Sequence, residues 1–137
     1  MSAEIPSVSA EIPPMSAEIG AGTFDALASR LIGRQVPLHA LFEITERCNY
    51  RCTHCYLPHR DDDELSTAEA LAALDSLADA GTLFLTISGG EIFLRRDVWE
   101  ILEHARKREF VTRYFTNGWF VDEDKADRIA ALSPLAV

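Results

Sequence analysis

The sequence predicts an α/β fold in which helices connect the strands of a parallel sheet. Two observations predict it. Apolar segments rich in strand-forming residues alternate with amphipathic helical segments along the chain. Glycine-containing turns follow two of the three strand segments. Strands linked through helices pair in parallel by right-handed crossovers, and ligands bind such sheets at the carboxyl ends of the strands. The residues that follow each strand are therefore the candidate functional residues.

Length, composition and charge are those of a single domain that handles small molecules or proteins. The chain has 137 residues, of which 47% are hydrophobic, enough for one packed core. Its formal net charge is -9, with 22 acidic and 13 basic residues, which argues against nucleic acid or an anionic membrane as a partner. No apolar run of membrane-spanning length and no secretion signal is found, so we expect a cytoplasmic location.

The first 22 residues are predicted to be a disordered, repetitive tail, and residues 23–137 the folded domain. The segments SAEIP, SAEIP and SAEIG repeat with a period of seven, but their prolines exclude a coiled coil. After the tail, apolar residues at helical spacing predict a short leading helix that stops at Gly33. These apolar residues are Phe24, Leu27, Leu31 and Ile32.

The first predicted strand is LHALFEIT, residues 38–45, which we expect to be covered on both faces. The helix after it has a capping box, Ser66 with Glu69, and a glycine stop at Gly81. Its predicted buried stripe consists of Leu71, Leu74, Leu77 and Ala78.

Two further strand and helix pairs follow. TLFLTIS, residues 82–88, predicts the second strand, and Asp97 with Glu100 predicts a second capping box at the start of the next helix. FVTRYFT, residues 110–116, predicts the third strand. Asp122 is the predicted cap of the last helix, which contains Ile129 and Leu132 and which Pro134 ends.

All three cysteines of the chain lie in TERCNYRCTHCYLPH, between the first strand and its helix. Three thiolates on one loop can converge on a polynuclear iron site. Since a cubane cluster has four irons, ligation by Cys48, Cys52 and Cys55 leaves one iron open, as in catalytic metal sites. The alternative is a structural zinc ion completed by His59 or, with poorer geometry, by His54.

The segment CNYRCTHC resembles the Cys-x3-Cys-x2-Cys signature of the radical S-adenosylmethionine enzymes. Two further motifs match in order: Gly89-Gly90-Glu91 after the second strand and Thr116-Asn117-Gly118 after the third. The loop sequence CNYRCTHCYL is most similar to the SPASM-type subgroup, which modifies ribosomal peptides or builds peptide-derived cofactors. The resemblance covers residues 37–137.

This resemblance implies a partial TIM-like (β/α) barrel, with about three of the family's six βα units. It implies a 4Fe-4S cluster on the three cysteines and S-adenosylmethionine held by Gly89, Gly90 and Glu91. Glycine lets the backbone approach a ligand closely, and a carboxylate suits the methionyl ammonium group. The other implied cofactor-binding residues are Thr116, Asn117 and Tyr56. An electron donor protein and an unidentified substrate, taken as a peptide, are the implied partners.

The chain departs from the family in two respects. Ile92 follows Gly89-Gly90-Glu91, where many members of the subgroup have proline. The chain ends after three βα units, with LAV as the first residues of a fourth strand, so we expect a fragment that has little turnover alone and exposes an apolar inner face.

Each motif also has a simpler interpretation. The chain could be a non-catalytic, metal-binding interaction module. Glycines at a strand end serve packing, and Asn117-Gly118 is typical of an ordinary tight turn. The acidic run at residues 61–64 is interpreted as a solvated loop before a helix, and Trp99 and Trp119 as packing residues.

Overall fold

A computed structural model describes residues 36–57 and 64–137, together with the isolated helical positions Ala26 and Gly33. Strands and helices alternate, which confirms the predicted α/β class. In chain order they are β1 (His39–Glu43), α1 (Thr67–Asp79), β2 (Phe84–Ser88), a 3-10 turn (Ile92–Leu94), α2 (Val98–Lys107), β3 (Val111–Tyr114) and α3 (Glu123–Ala131). The strands are shorter than the predicted segments, although flanking residues such as Ile44, Leu83 and Phe115 still make backbone hydrogen bonds to the neighbouring strand.

The three strands form one parallel sheet in the order β1-β2-β3. His39 pairs with Phe84, which pairs with Val111, so the three strands run in parallel from a common edge. Beyond α3 the chain returns to β3, where Arg113 and Ala136 form a parallel bridge. This bridge agrees with the predicted first residues of a fourth parallel strand.

The hydrophobic core lies between one face of the sheet and the helices. The sheet contributes alternate residues from each strand, and α1, α2 and α3 contribute their apolar stripes. The fully or nearly fully buried members include Ile44, Leu74, Leu85, Ile87, Ile101, Leu102, Tyr114 and Ile129. Of the stripe predicted for α1, Leu74 is buried, and Leu71, Leu77 and Ala78 pack partly buried against the core.

Two of the predicted helix caps are confirmed. At α1, Ser66 and Glu69 form both hydrogen bonds of a capping box, and Gly81 follows the helix with a φ of 91°. At α3, the Asp122 carboxylate accepts a hydrogen bond from the Lys125 amide, at 2.9 Å. Local spacing was sufficient to predict these ends, because each cap joins residues three apart.

The capping box predicted for Asp97 and Glu100 is wrong. Asp97 does occupy the N-cap position of α2, but its side chain makes no capping hydrogen bond. Its carboxylate instead accepts hydrogen bonds from Arg95, at 2.7 and 2.9 Å, and from the Thr67 hydroxyl, at 2.6 Å. Asp97 therefore binds its neighbour Arg95 and the distant Thr67 instead of capping the helix.

The face of the sheet away from the helices, the inner face, differs from the prediction in two respects. β1 is not covered on both sides, since Leu41 is 53% exposed. The inner face is also mixed in polarity rather than apolar. By strand alternation and register it comprises His39, Leu41, Glu43, Phe84, Thr86, Ser88, Val111 and Arg113.

The predicted tail and most of the leading helix lie outside the described residues, so the boundary near residue 22 stays a prediction. Gly33 is itself helical, and the two residues after it lie outside the described part of the chain, so the predicted helix end at Gly33 stays a prediction. Among the residues that the structure describes, no helix is long and apolar enough to span a bilayer.

Candidate functional site

The cysteine loop begins at the carboxyl end of β1. Cys48, Cys52 and Cys55 are all free thiols, with Cys52 exposed and the other two partly buried. A turn joins the last two, because the Cys55 amide donates to the Cys52 carbonyl at 3.1 Å. The Tyr50 amide lies 3.4 Å from the Cys48 sulfur and donates to it. Backbone donors of this kind are typical of thiolates that bind iron-sulfur clusters.

The donor chemistry of the loop fits an iron-sulfur cluster, since thiolates are the usual ligands of such clusters. Within residues 36–57 and 64–137, no group of three or more His, Cys, Asp or Glu side chains is arranged to hold a metal ion. For the zinc alternative, His54 is exposed, and His59 lies outside the described residues.

The glycine turn after β2 packs against the start of the cysteine loop. The Gly90 amide donates to the Thr45 carbonyl and the Glu91 amide to the Arg47 carbonyl, each at 2.8 Å. A Cβ atom on Gly89 would lie 2.3 Å from the Thr45 oxygen, and one on Gly90 would lie 2.3 Å from the Arg47 oxygen. Both positions therefore require glycine for close backbone packing.

Glu91 has no exposed surface. Its carboxylate accepts hydrogen bonds from the backbone amides of Phe93, at 3.0 Å, and Asn117, at 2.8 Å, and from the Thr116 hydroxyl, at 2.8 Å. An ionised carboxylate accepts about four hydrogen bonds, so the chain itself uses most of this capacity. Glu91 thereby links the turn after β2 to the loop after β3.

The loop after β3 contacts the cysteine loop directly. The Asn117 side-chain amide donates to the Asn49 side chain at 2.8 Å and lies 3.9 Å from the Cys48 sulfur. Gly118 has a φ of 76°, a left-handed conformation that favours glycine. The side-chain oxygen of Asn117 accepts a hydrogen bond from the Trp119 backbone amide at 3.0 Å. Asn117-Gly118 is therefore both a turn and a contact to the cysteines.

Aromatic side chains lie around the same end of the sheet. Trp119 is 67% exposed and meets Tyr50 edge to face at 6.0 Å, so its interpretation as a packing residue is wrong. Trp99 does pack, against Phe93 and below the Arg128 guanidinium. Tyr56 is 73% exposed, and its hydroxyl donates to the Glu43 carboxylate.

The Tyr56 hydroxyl is held by a negatively charged neighbour. Its hydrogen bond to Glu43 is the main cause that raises the pKa of Tyr56 above its usual value. The bond joins the cysteine loop to Glu43 on the inner face. Tyr56 is therefore a protonated donor at neutral pH, on the side of the sheet where the loops meet.

Sequence analysis missed a polar cluster that joins the two ends of the cysteine loop. Glu64 is not simply solvated, because Arg47 donates to its carboxylate through Nε at 2.8 Å and Nη2 at 2.9 Å. The positive Arg47 guanidinium is the main cause that lowers the pKa of Glu64. Asp61, Asp62 and Asp63 lie outside the described residues. We call this cluster the loop clamp; it consists of Thr45, Arg47, Glu64, Arg95 and Asp97.

The only sequence signal for the loop clamp is the Arg95-x-Asp97 pair after the glycine turn. Two residues of opposite charge at this spacing are common on protein surfaces and carry little information. The pairing of Glu64 with Arg47 spans 17 positions, which no local pattern indicates.

Comparison with protein families identifies the class of protein. Residues 42–137 match the model of the Radical SAM superfamily. The chain belongs to this superfamily, which confirms the resemblance drawn from the three motifs.

Two curated relatives are named as biosynthetic proteins. The chain is 33% identical over 119 residues to the Fe-coproporphyrin III synthase of Methanosarcina barkeri, covering 77% of this chain and 30% of the relative. It is 36% identical over 94 residues to the antilisterial bacteriocin subtilosin biosynthesis protein AlbA of Bacillus subtilis, covering 67% of this chain and 21% of the relative. The chain thus spans less than a third of the length of these relatives.

A solved structure confirms the fold. The chain superposes on SuiB of Streptococcus suis bound to S-adenosylmethionine with a TM-score of 0.62 and 20% identity, over 82% of this chain and 29% of SuiB. The structure of SuiB bound to the precursor peptide SuiA gives the same TM-score over 90% of this chain and 30% of SuiB, at 19% identity.

Proposed function

We propose that this chain is the N-terminal part of a radical S-adenosylmethionine enzyme domain, in which Cys48, Cys52 and Cys55 hold a 4Fe-4S cluster. The contact between the loops that follow all three strands carries the proposal. The side-chain amide of Asn117 donates to Asn49 and lies near the Cys48 sulfur. The backbone amide of Glu91 donates to the Arg47 carbonyl. Three motifs far apart in sequence thus form one continuous site, as the family resemblance requires.

The cofactor is proposed to bind over the same loops, beside the cysteines. Gly89, Gly90 and Glu91 would hold its methionyl end, with Thr116, Asn117 and Tyr56 nearby. Support comes from the hydrogen bonds of Glu91 to Thr116 and Asn117, which tie two of the three motifs together. Because Glu91 is enclosed, a ligand ammonium group reaches its carboxylate only if the turn shifts.

When bound, the cluster would supply one electron to S-adenosylmethionine, and cleavage of its 5′ carbon-sulfur bond would give methionine and a 5′-deoxyadenosyl radical that abstracts hydrogen from the substrate. The residues of this chain provide ligands, position and shielding. Buried Glu91 and the close-packed glycines connect the loops to one another, and catalytic constellations require such supporting contacts.

The proposed substrate is a peptide. The names of two similar proteins support this choice: AlbA is a bacteriocin biosynthesis protein, and SuiB has been solved with a precursor peptide. The Fe-coproporphyrin III synthase shows that a non-peptide product also occurs among similar proteins. A cytoplasmic location and an electron donor protein complete the proposal, and low turnover by the isolated chain stays a prediction.

The test is anaerobic reconstitution of the chain with iron and sulfide. We expect a brown protein with close to four irons per chain, whose electron paramagnetic resonance spectrum after reduction changes when S-adenosylmethionine is added. A colourless protein that binds one zinc ion per chain would contradict the proposal and favour the non-catalytic module.

Replacing each cysteine in turn by alanine should abolish cluster assembly, since each supplies one of only three protein ligands. The matched control is His54→Ala, which lies in the same loop and leaves all three thiols. It should retain the iron, whereas a zinc site completed by His54 would be weakened. A full cluster in Cys48→Ala, Cys52→Ala or Cys55→Ala would refute the ligand assignment.

A further inference from the structure

We propose that Glu64 and Arg95 are positioning residues that fix the two ends of the cysteine loop and so hold Cys48 beside the glycine turn. The inference rests on the proposed function, because it treats the cysteines as cluster ligands. Both residues lie outside the three motifs that define the site.

Glu64 closes the loop through side-chain contacts. It follows the cysteines in sequence, and its carboxylate binds two residues that precede them. The Thr45 hydroxyl donates to it across 19 positions, and the Arg47 guanidinium donates two hydrogen bonds across 17 positions. Two parallel hydrogen bonds between a guanidinium and a carboxylate fix their relative orientation as well as their distance.

Arg95 closes the same loop through backbone contacts. It is only 4% exposed, and its guanidinium donates to the Ile44 carbonyl and to the Leu65 carbonyl, each at 2.6 Å. Ile44 precedes the cysteines and Leu65 follows them. A single side chain therefore connects the two ends of the loop to the segment after the glycine turn.

The charge of Arg95 is balanced within the loop clamp. A buried guanidinium stays charged and must be paired, and Asp97 provides the partner through hydrogen bonds of 2.7 and 2.9 Å. Arg95 is the main cause that lowers the pKa of Asp97 to about 2. Asp97 also binds the Thr67 hydroxyl at the start of α1, so the loop clamp extends to the helix that follows the loop.

Arg47 connects the loop clamp to Cys48, its neighbour in sequence. Its side chain is bound to Glu64, and its carbonyl accepts the Glu91 amide at 2.8 Å. A Cβ atom on Gly90 would lie 2.9 Å from the Cys48 Cβ, so Cys48 packs directly against the turn. If the loop clamp loosens, Cys48 loses its fixed position relative to the other motifs.

Residues that orient metal ligands without touching the metal affect affinity strongly, and their loss typically weakens metal binding about 10-fold to 100-fold. Fixed loop ends also reduce the number of conformations that compete with the binding geometry. Glu64 is suited to this role because it lies at one end of the loop and binds the other end, and Arg95 because it contacts both ends.

The test compares Glu64→Gln with a matched control, Glu100→Gln, in the same 137-residue chain. Glutamine keeps the shape of Glu64 but loses its charge and one of the two hydrogen bonds from Arg47. Glu100 is an exposed residue of α2 and loses the same charge. The first measurement is the rate at which a chelator removes iron from the reconstituted protein, and Glu64→Gln is expected to raise it about 10-fold or more.

The second measurement needs no cluster. Amide hydrogen exchange in the metal-free chain is followed at Gly90 and Glu91, which donate to the Thr45 and Arg47 carbonyls, and at Val111, which donates to the Leu83 carbonyl at 2.9 Å. Glu64→Gln should speed exchange at Gly90 and Glu91 while Val111 is unchanged. Arg95→Lys should act in the same direction, because an ammonium group cannot reach both carbonyls and both Asp97 oxygens.

The proposal is overturned if the amide exchange rates of Gly90 and Glu91 are the same in Glu64→Gln as in Glu100→Gln. It is also overturned if exchange at Val111 rises equally, because the effect would then be a general loss of stability. Failure of the unmodified chain to take up iron would overturn the proposed function, whereas the exchange measurement would still decide whether the loop clamp holds the cysteine loop in place.

Discussion

The two faces of the sheet use the same three strands in different ways. The outer face, against the helices, carries Leu85, Ile87 and Tyr114, all with almost no exposed surface. The inner face carries charged and polar residues among apolar ones, and its members on β1 are exposed. Burial against helices accounts for the stability of the outer face, whereas the inner face has hydrogen-bonding groups available for other contacts.

The polar groups of the inner face are partly paired with one another. The His39 ring bonds with the Thr86 hydroxyl at 2.9 Å, and Glu43 accepts from Tyr56 of the cysteine loop. The inner face is therefore connected to the proposed site through the contact between Glu43 and Tyr56. Substitutions on the two faces should separate effects on stability from effects on binding.

The largest expected effect on stability is on the outer face. Ile87→Ala removes a fully buried side chain from β2 and should lower the free energy of unfolding by about 2 to 5 kcal/mol. Leu41→Ala, on the neighbouring strand and the inner face, is the matched control and should cost less than about 1 kcal/mol. Urea denaturation measures both. A comparable loss in Leu41→Ala would mean that the inner face is covered in solution.

Glu91→Gln tests whether the charge of Glu91, at the carboxyl end of the sheet, contributes to cofactor binding. It should leave the iron content unchanged but weaken S-adenosylmethionine binding by about 1.5 to 3 kcal/mol, if one charge-assisted hydrogen bond is lost. Calorimetric titration of the reconstituted protein measures the change. Glu100→Gln is the control, because it loses the same charge from an exposed residue of α2. Equal affinities in Glu91→Gln and the unmodified protein would show that the cofactor does not use this charge.

Gly90→Ala tests whether the close packing between the glycine turn and the cysteine loop is needed for stability and for cluster uptake. The added Cβ would lie 2.3 Å from the Arg47 carbonyl oxygen, so backbone must shift. We expect a loss of about 1 to 3 kcal/mol in unfolding free energy together with reduced cluster uptake. Gly118→Ala meets no atom within 4 Å and should cost only about 1 to 2 kcal/mol from its left-handed φ. Normal cluster uptake by Gly90→Ala would contradict the proposed role of this contact.

Sequence patterns predicted the features that depend on residues close together in the chain. Ser66 and Glu69 are three apart and form the predicted capping box, and the cysteine spacing predicted the candidate site. The pair Asp97 and Glu100 has the same spacing, yet Asp97 binds Thr67, which lies 30 positions away. The burial of Glu91 and the pairing of Glu64 with Arg47 also depend on distant residues. Local spacing cannot show which long-range partner will displace a local one.

The smallest expected effect concerns the acid stability of the loop clamp. The hydrogen bond from Arg95 is the main cause that lowers the pKa of Asp97 from 3.8 to about 2. A carboxyl group with a lowered folded-state pKa stabilises the fold above its unfolded pKa and loses that contribution as pH falls through the folded value. Urea denaturation of the metal-free chain should therefore show that the stability advantage over Asp97→Asn is constant above about pH 4 and shrinks towards pH 2. An advantage that did not change across this range would mean that the ionised carboxylate of Asp97 does not stabilise the fold, and that Arg95 is held by its bonds to the backbone carbonyls alone.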